Sequence, residues 1–140
     1  MNFIKTGIEG VVIIEPKLFK DARGYFFESF SQREFDEAVR RVRFVQDNES
    51  RSSRGVVRGL HFQKHFPQCK LVRAVRGSVF DVAVDLRRDS KTYGKWYGVE
   101  LTEENKKQFL IPEGFAHGFL VLSDVAEFCY KVNDFWHPND

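Results

Sequence analysis

The chain is poor in cysteine, nearly balanced in charge, and without a long apolar run. Its two cysteines, Cys69 and Cys129, cannot build a disulfide framework, and neither belongs to a C-x-x-C pair. They read as reduced, partly buried thiols of a cytoplasmic protein. A formal net charge of +2, from 22 basic and 20 acidic side chains, argues against a general nucleic-acid binder. A small anionic ligand needs only a few local arginines and stays open. Residues 1–10 carry Lys5 and Glu9, so neither a signal peptide nor a membrane span is expected. There are only four prolines, and no repeat, linker or low-complexity tract divides the 140 residues. One domain over residues 1–140 is the natural reading.

What is present is apolar bulk in short pieces. Hydrophobic residues make up 42%, and phenylalanine alone supplies 15 side chains, enough for a packed interior. The apolar runs are short and separated by turn signals, which predicts a mainly antiparallel β protein. Candidate strands are Gly10 to Ile14, Tyr25 to Phe30, Gly55 to Phe62, Leu71 to Val75 and Ser78 to Leu86. Trp96 to Leu101, Phe109 to Ile111, Gly118 to Leu122 and Ala126 to Val132 follow. Asp21-Ala22-Arg23-Gly24 reads as a turn, and Arg76-Gly77 as a hairpin turn between two strands. One segment is different. Ser31 followed by Glu34 is a capping box, and Phe35 and Val39 recur at helical spacing, predicting a short helix over 32–41. Many short strands at near-regular spacing predict a sandwich or small barrel, whose closure removes exposed edges.

Four places carry chemistry. Arg58-Gly59-Leu60-His61-Phe62-Gln63 places a basic residue and a histidine at the end of an apolar strand. An imidazole there can serve as a base near neutral pH, or can be a surface side chain held by one hydrogen bond. Plain alternation sends Arg58 and His61 to opposite faces, so sharing a ligand requires a bulge, for which Gly59 is the natural place. Lys70 alternates with Val72 and Ala74. It therefore faces either a barrel interior, where it needs an anion or polar ligand, or solvent at the strand end. Tyr130 alternates with Phe128 and Val132, as a core aromatic or as a proton donor opposite the histidine. Ile111-Pro112-Glu113-Gly114-Phe115-Ala116-His117 contains P-x-G-x-x-H, which resembles the second motif of cupins. The first cupin motif holds metal with H-x-H. Here that place reads His61-Phe62-Gln63, too few imidazoles for a metal site, so no metal is expected.

Taken in order, these segments resemble the dTDP-4-dehydrorhamnose 3,5-epimerase family. The resemblance runs from about Asp21 to Pro138. It rests on Asp21-x-Arg23-Gly24-x-Phe26-x-Glu28, Gln46-Asp47-Asn48-x-Ser50 and Val57 to Gln63. It continues through Pro67-Gln68-x-Lys70-Leu71-Val72, Gly77-x-Val79-x-Asp81-Val82-Ala83-Val84-Asp85-Leu86-Arg87, Ile111-Pro112-x-Gly114-Phe115-Ala116-His117-Gly118-Phe119 and Tyr130-Lys131.

The resemblance implies an all-β jelly-roll (cupin-like) barrel with one short helix, acting on a dTDP-4-keto-6-deoxyhexose and inverting C3, C5 or both without a cofactor. It implies His61 as base, Tyr130 as acid and Lys70 beside the ketone. It further implies Arg23, Arg58 and His117 at phosphates and sugar, Gln46 and Asn48 at the thymine, and Glu28 as another ligand contact. It also implies a homodimer that exchanges strands. Two departures go with it. The family runs on beyond the position of Asp140, so its C-terminal segment, with an aspartate that orients the base, is expected to be missing here. Asp134-Phe135-Trp136 stands where the family usually carries a Tyr-Tyr pair. Two other readings remain open at this level: a nucleotide-sugar binding module without catalysis, and a metal-dependent cupin oxygenase or isomerase.

Overall fold

The computed structural model describes residues 1–140. The elements run β1 (Asn2–Lys5), β2 (Val12–Glu15), β3 (Phe19–Asp21), β4 (Gly24–Phe26), α1 (Gln32–Ala38), β5 (Gln46–Ser53) and β6 (Val57–His61). They continue with β7 (Lys70–Arg76), β8 (Ser78–Asp85), β9 (Trp96–Thr102), β10 (Gln108–Ile111), β11 (Phe115–Val121) and β12 (Val125–Val132). All strand pairs are antiparallel. A six-stranded sheet in the order β1-β2-β10-β7-β12-β5 faces a four-stranded sheet in the order β6-β11-β8-β9, and β3-β4 form a separate hairpin. The expected jelly-roll barrel with one short helix is what forms.

The period-two alternation decides which side chains meet between the sheets. In β8, Val79, Asp81, Ala83 and Asp85 are buried, while the residues between them are half-buried. Val72, Ala74 and Phe128 from the larger sheet pack with Val79, Ala83 and Phe119 from the smaller one. Phe119 and Phe128 stack across this interior with ring centroids 4.3 Å apart. Burying an aromatic pair of this kind contributes about 0.5–1.5 kcal/mol beyond its area.

The larger sheet also has a second buried face. Val12, Ile14, Leu71 and Leu110 pack there with Phe35 and Val42, outside the barrel. Strand β2 is thus covered on both faces, which is why its sequence is a continuous apolar run rather than an alternation. The two edges of this sheet are β1 and β5. The helix that covers this face begins as the capping box requires: the Ser31 side chain accepts from the Glu34 backbone N–H. It stops at Ala38, earlier than 41, because the chain turns back. Asp36 accepts from the Val42 N–H, and Gln32 donates to the Val42 carbonyl at 2.7 Å.

Three sequence readings change here. Arg76-Gly77 is not a hairpin turn, since β7 and β8 do not pair and lie in different sheets. It is the corner where the chain leaves one sheet for the other. Gly77 has φ of 75°, and a Cβ there would meet the Val125 carbonyl at 2.1 Å. The strand after Asp21-Ala22-Arg23-Gly24 ends at Phe26 rather than Phe30, although the turn itself closes the β3-β4 hairpin. Strand β5 has no apolar run and was not among the expected strands. No helix is long and apolar enough to cross a membrane.

Candidate active site

One wall of the candidate site comes from the smaller sheet. In the β6–β11 ladder, His117 pairs with His61 and Phe119 with Arg58. Two steps of β11 therefore face three of β6, and the extra residue is a bulge. Gly59 lies in it with φ of 112°. A Cβ at Gly59 would meet the His117 carbonyl oxygen at 2.6 Å and the Gly118 Cα at 2.7 Å, so only glycine fits this close backbone approach. With the bulge, Arg58 and His61 border the same cavity.

The facing wall comes from the larger sheet. Lys70 opens β7 in the same inward phase as Val72 and Ala74. Tyr130 sits on β12 next to Val72 of β7 and Asn48 of β5. The Lys70 ammonium lies 5.9 Å from the centroid of the Tyr130 ring. Burial pushes the pKa of Lys70 below its ordinary value, and the negative charge of Asp81 opposes that fall.

Two adjoining cavities occupy the space. The first, about 370 Å³, is lined by His61, Gln63, Lys70, Phe115, Tyr130 and Trp136, among others. The second, about 150 Å³, is lined by Asn48, Arg58, His61, Lys70, His117 and Tyr130, among others. His61, Lys70 and Tyr130 border both, so they stand where the two lobes meet. Gln46 donates to the Asn48 side chain at 2.9 Å on β5. Arg58 reaches the same strand, donating to the Ser52 hydroxyl at 2.7 Å.

His117 is held from behind by a residue that the sequence reading quoted but gave no role. Its Nε2 lies 2.9 Å from both carboxylate oxygens of Asp81. Asp81 is fully buried and His117 only 6% exposed. Burial pushes the Asp81 carboxyl above its ordinary pKa, while His117 and Lys70 pull it back. The sequence does carry a signal for it. Asp81 falls in the inward phase of β8, between Val79 and Ala83, where an acid is costly unless paired.

A family model described as dTDP-4-dehydrorhamnose 3,5-epimerase matches residues 5–140. The chain belongs to the dTDP-4-dehydrorhamnose 3,5-epimerase family. A dTDP-4-dehydrorhamnose 3,5-epimerase of Shigella flexneri is 63% identical over 138 residues, covering 97% of this chain and 76% of that one. One from Methanothermobacter thermautotrophicus is 60% identical over 137 residues, covering 98% of this chain and 74% of the relative. Among solved structures, a Legionella pneumophila 3,5-epimerase in complex with dTDP-4-keto-L-rhamnose superposes with a TM-score of 0.97 at 54% identity. That match covers 99% of this chain and 74% of the other.

Not every residue that the epimerase family suggests comes to the cleft within one chain. Arg23 sits in the turn of the β3-β4 hairpin with its side chain 91% exposed, paired with Asp21 at 2.7 Å. Glu28 follows that hairpin and is exposed. Neither borders the two cavities that hold His61. No group of three or more His, Cys, Asp or Glu side chains gathers in a metal-binding arrangement. The remaining stretch of interest, Asp134-Phe135-Trp136, lies at the mouth. Trp136 lines the larger cavity, and His137 beside it stacks on Phe66 at 3.7 Å.

Proposed function

We propose that this cleft epimerises a dTDP-4-keto-6-deoxyhexose, inverting C3, C5 or both by proton abstraction next to the ketone. The observation that carries the reading is the joint placement of His61, Lys70 and Tyr130. The histidine comes from one sheet, the lysine and tyrosine from the other, and all three border both lobes of one cleft. Inversion needs that division. A single group would mostly return the proton to the face it left.

The chemistry follows from the positions. A proton on a carbon adjacent to a ketone is acidified because the carbanion delocalises as an enolate. The His61 imidazole takes the proton and becomes imidazolium. The Lys70 ammonium stands by the oxygen on which negative charge develops. The Tyr130 hydroxyl then gives a proton to the opposite face of the carbon, and proton exchange with solvent resets both groups. No electrons leave the substrate, so no redox partner enters. Arg58 and His117 serve the phosphates and sugar, while the amides of Gln46 and Asn48 offer donors and acceptors to thymine.

Arg23 and Glu28 fit this reading through a second copy of the chain. We infer a homodimer with exchanged strands, in which the hairpin of one subunit approaches the other. The exposed Phe19, Tyr25 and Phe26 of that hairpin support it, at 54%, 59% and 67% exposure. A cytoplasmic location accords with two unpaired cysteines. The test of the reaction is NMR of dTDP-4-keto-6-deoxyglucose with the protein in heavy water. Deuterium entering C3 or C5, with epimer formation, is the expected result. Tight dTDP binding without exchange would instead leave a binding module.

A further inference from the structure

We infer that Asp81 is a positioning residue of this site: it fixes His117 by its Nε2–H and supplies the buried counter-charge to Lys70 across the cleft. The inference rests on the proposed reaction and goes beyond it, because Asp81 touches no substrate in that scheme.

Three observations meet at Asp81. Its side chain is completely buried between the sheets, one strand away from His117 in the β8–β11 ladder. Both carboxylate oxygens lie 2.9 Å from one nitrogen of His117, and an ionised Asp81 can only accept, so that nitrogen would then carry the hydrogen shared between them. An imidazole whose Nε2–H is fixed in this way has its tautomer and ring angle set, and its Nδ1 edge is left for the cavity that His117 lines. Lys70 faces Asp81 from the opposite sheet, and Asp81 is the charge that opposes the loss of its proton on burial.

The other groups around Lys70 do not replace Asp81. Tyr130 from β12 contributes a ring, and Arg58, His61 and His117 contribute bases or cations. Glu49 from β5 and Asp140, with His137, from the C-terminal segment border the same cavities. Glu49 accepts from the Cys129 thiol, and Asp140 accepts from the His65 and Phe66 backbone, so both are engaged elsewhere. Of these carboxylates, Asp81 is the one that sits between the two sheets, in the inward phase of β8.

Stability alone is a weak reason for such an acid. A buried carboxylate is often replaceable by a neutral side chain without loss, provided its partner is not orphaned. Asp81→Asn is the matching test. It keeps the shape and leaves an amide oxygen to accept from His117, but it removes the charge. Because Lys70 keeps its charge at neutral pH with less support, the thermal midpoint should fall by a few degrees only, well short of unfolding. The kcat for epimerisation should fall roughly tenfold at neutral pH, with KM changed less than about threefold. The alkaline limb of the exchange rate should move down by about one pH unit, because Lys70 loses its proton earlier.

A second measurement needs no substrate. In ¹⁵N-labelled wild type, the His117 ring, assigned with a His117→Asn variant, should show a persistent Nε2–H that is weakened in Asp81→Asn. An Asp81→Asn variant with unchanged alkaline limb and unchanged kcat overturns the inference. So does a wild-type His117 that carries its hydrogen on Nδ1 alone, which decides the matter even if Asp81→Asn does not fold. A wild type that exchanges no deuterium refutes the proposed reaction instead, and the nitrogen signals still decide the His117–Asp81 pairing.

Discussion

His61 stands directly across the β6–β11 ladder from His117, and the bulge at Gly59 brings Arg58 round to their side. A regular ladder would have turned Arg58 away. The shape of the site therefore depends on one residue that carries no side chain.

Gly59→Ala should be damaging for that reason. The added methyl meets backbone atoms of His117 and Gly118 rather than a flexible side-chain end, and the φ of 112° is strained for alanine. A loss of about 1–3 kcal/mol is expected from the backbone strain alone. Urea denaturation should show it, together with weakened dTDP binding as Arg58 and His61 lose their common face. A variant with wild-type stability and affinity would mean that the bulge is not required.

The acid and base should separate on mutation. His61→Asn should abolish both deuterium exchange and epimerisation. Tyr130→Phe should suppress epimerisation yet leave some exchange, because the base still forms the enolate and can reprotonate it from the same face. General acid–base groups contribute about 10²–10⁴-fold, so both losses are within reach of NMR in heavy water. Near-normal exchange by His61→Asn would assign the base to another residue.

Arg58 already has a neutral partner, the Ser52 hydroxyl, and its charge is left for a ligand. Arg58→Ala should weaken dTDP binding by about 2–3 kcal/mol if the contact is charge-assisted. Calorimetric titration should also show wild-type affinity falling as salt rises. Equal affinity of the two proteins for dTDP removes Arg58 from the nucleotide site.

Acid should weaken the fold through Asp85. Burial alone would raise its pKa, but hydrogen bonds from Arg87, Ser90 and Thr92 outweigh it and hold the carboxyl well below the ordinary range. The hydroxyls of Ser90 and Thr92 each donate at 2.5 Å. A depressed folded pKa contributes stability that is present above the unfolded value of about 3.8 and is lost as pH falls through the folded one. Asp85→Asn should thus be less stable than wild type at pH 7, and the gap should narrow as pH falls below about 4. A gap that is constant with pH would show that the charge of Asp85 contributes nothing.

The helix cap gives a control away from the cleft. Ser31→Ala removes the acceptor for the Glu34 N–H and should cost about 1 kcal/mol in denaturant unfolding, with no change in dTDP binding.

Much of this was legible in the order of residues. Alternation along a strand is a local property. It grouped Lys70 with Val72 and Ala74 on β7 and Phe128 with Tyr130 on β12, and in the fold both groups face the interior between the sheets. The capping box located α1 because a helix terminus is satisfied by neighbours in sequence. His61, Lys70 and Tyr130 were candidates by residue type and alternation, with the family resemblance adding Arg58 and Asn48, and all five border one cleft.

What remained hidden depends on contacts distant in sequence. Alternation tells which face a side chain takes but not which sheet the strand joins, so Arg76-Gly77 resembled a hairpin while acting as a corner between sheets. Strand β5 is polar throughout because it is an edge, with one face on the cleft and the other on solvent, and it has no apolar period to detect. Arg23 and Arg58 are equally basic in sequence, yet one is paired on an exposed hairpin and the other is held at the cavity by Ser52. Asp81 depends most on tertiary contacts. An aspartate within an apolar strand is only an anomaly until folding brings β11 beside it and β7 opposite, where His117 and Lys70 make its burial tolerable.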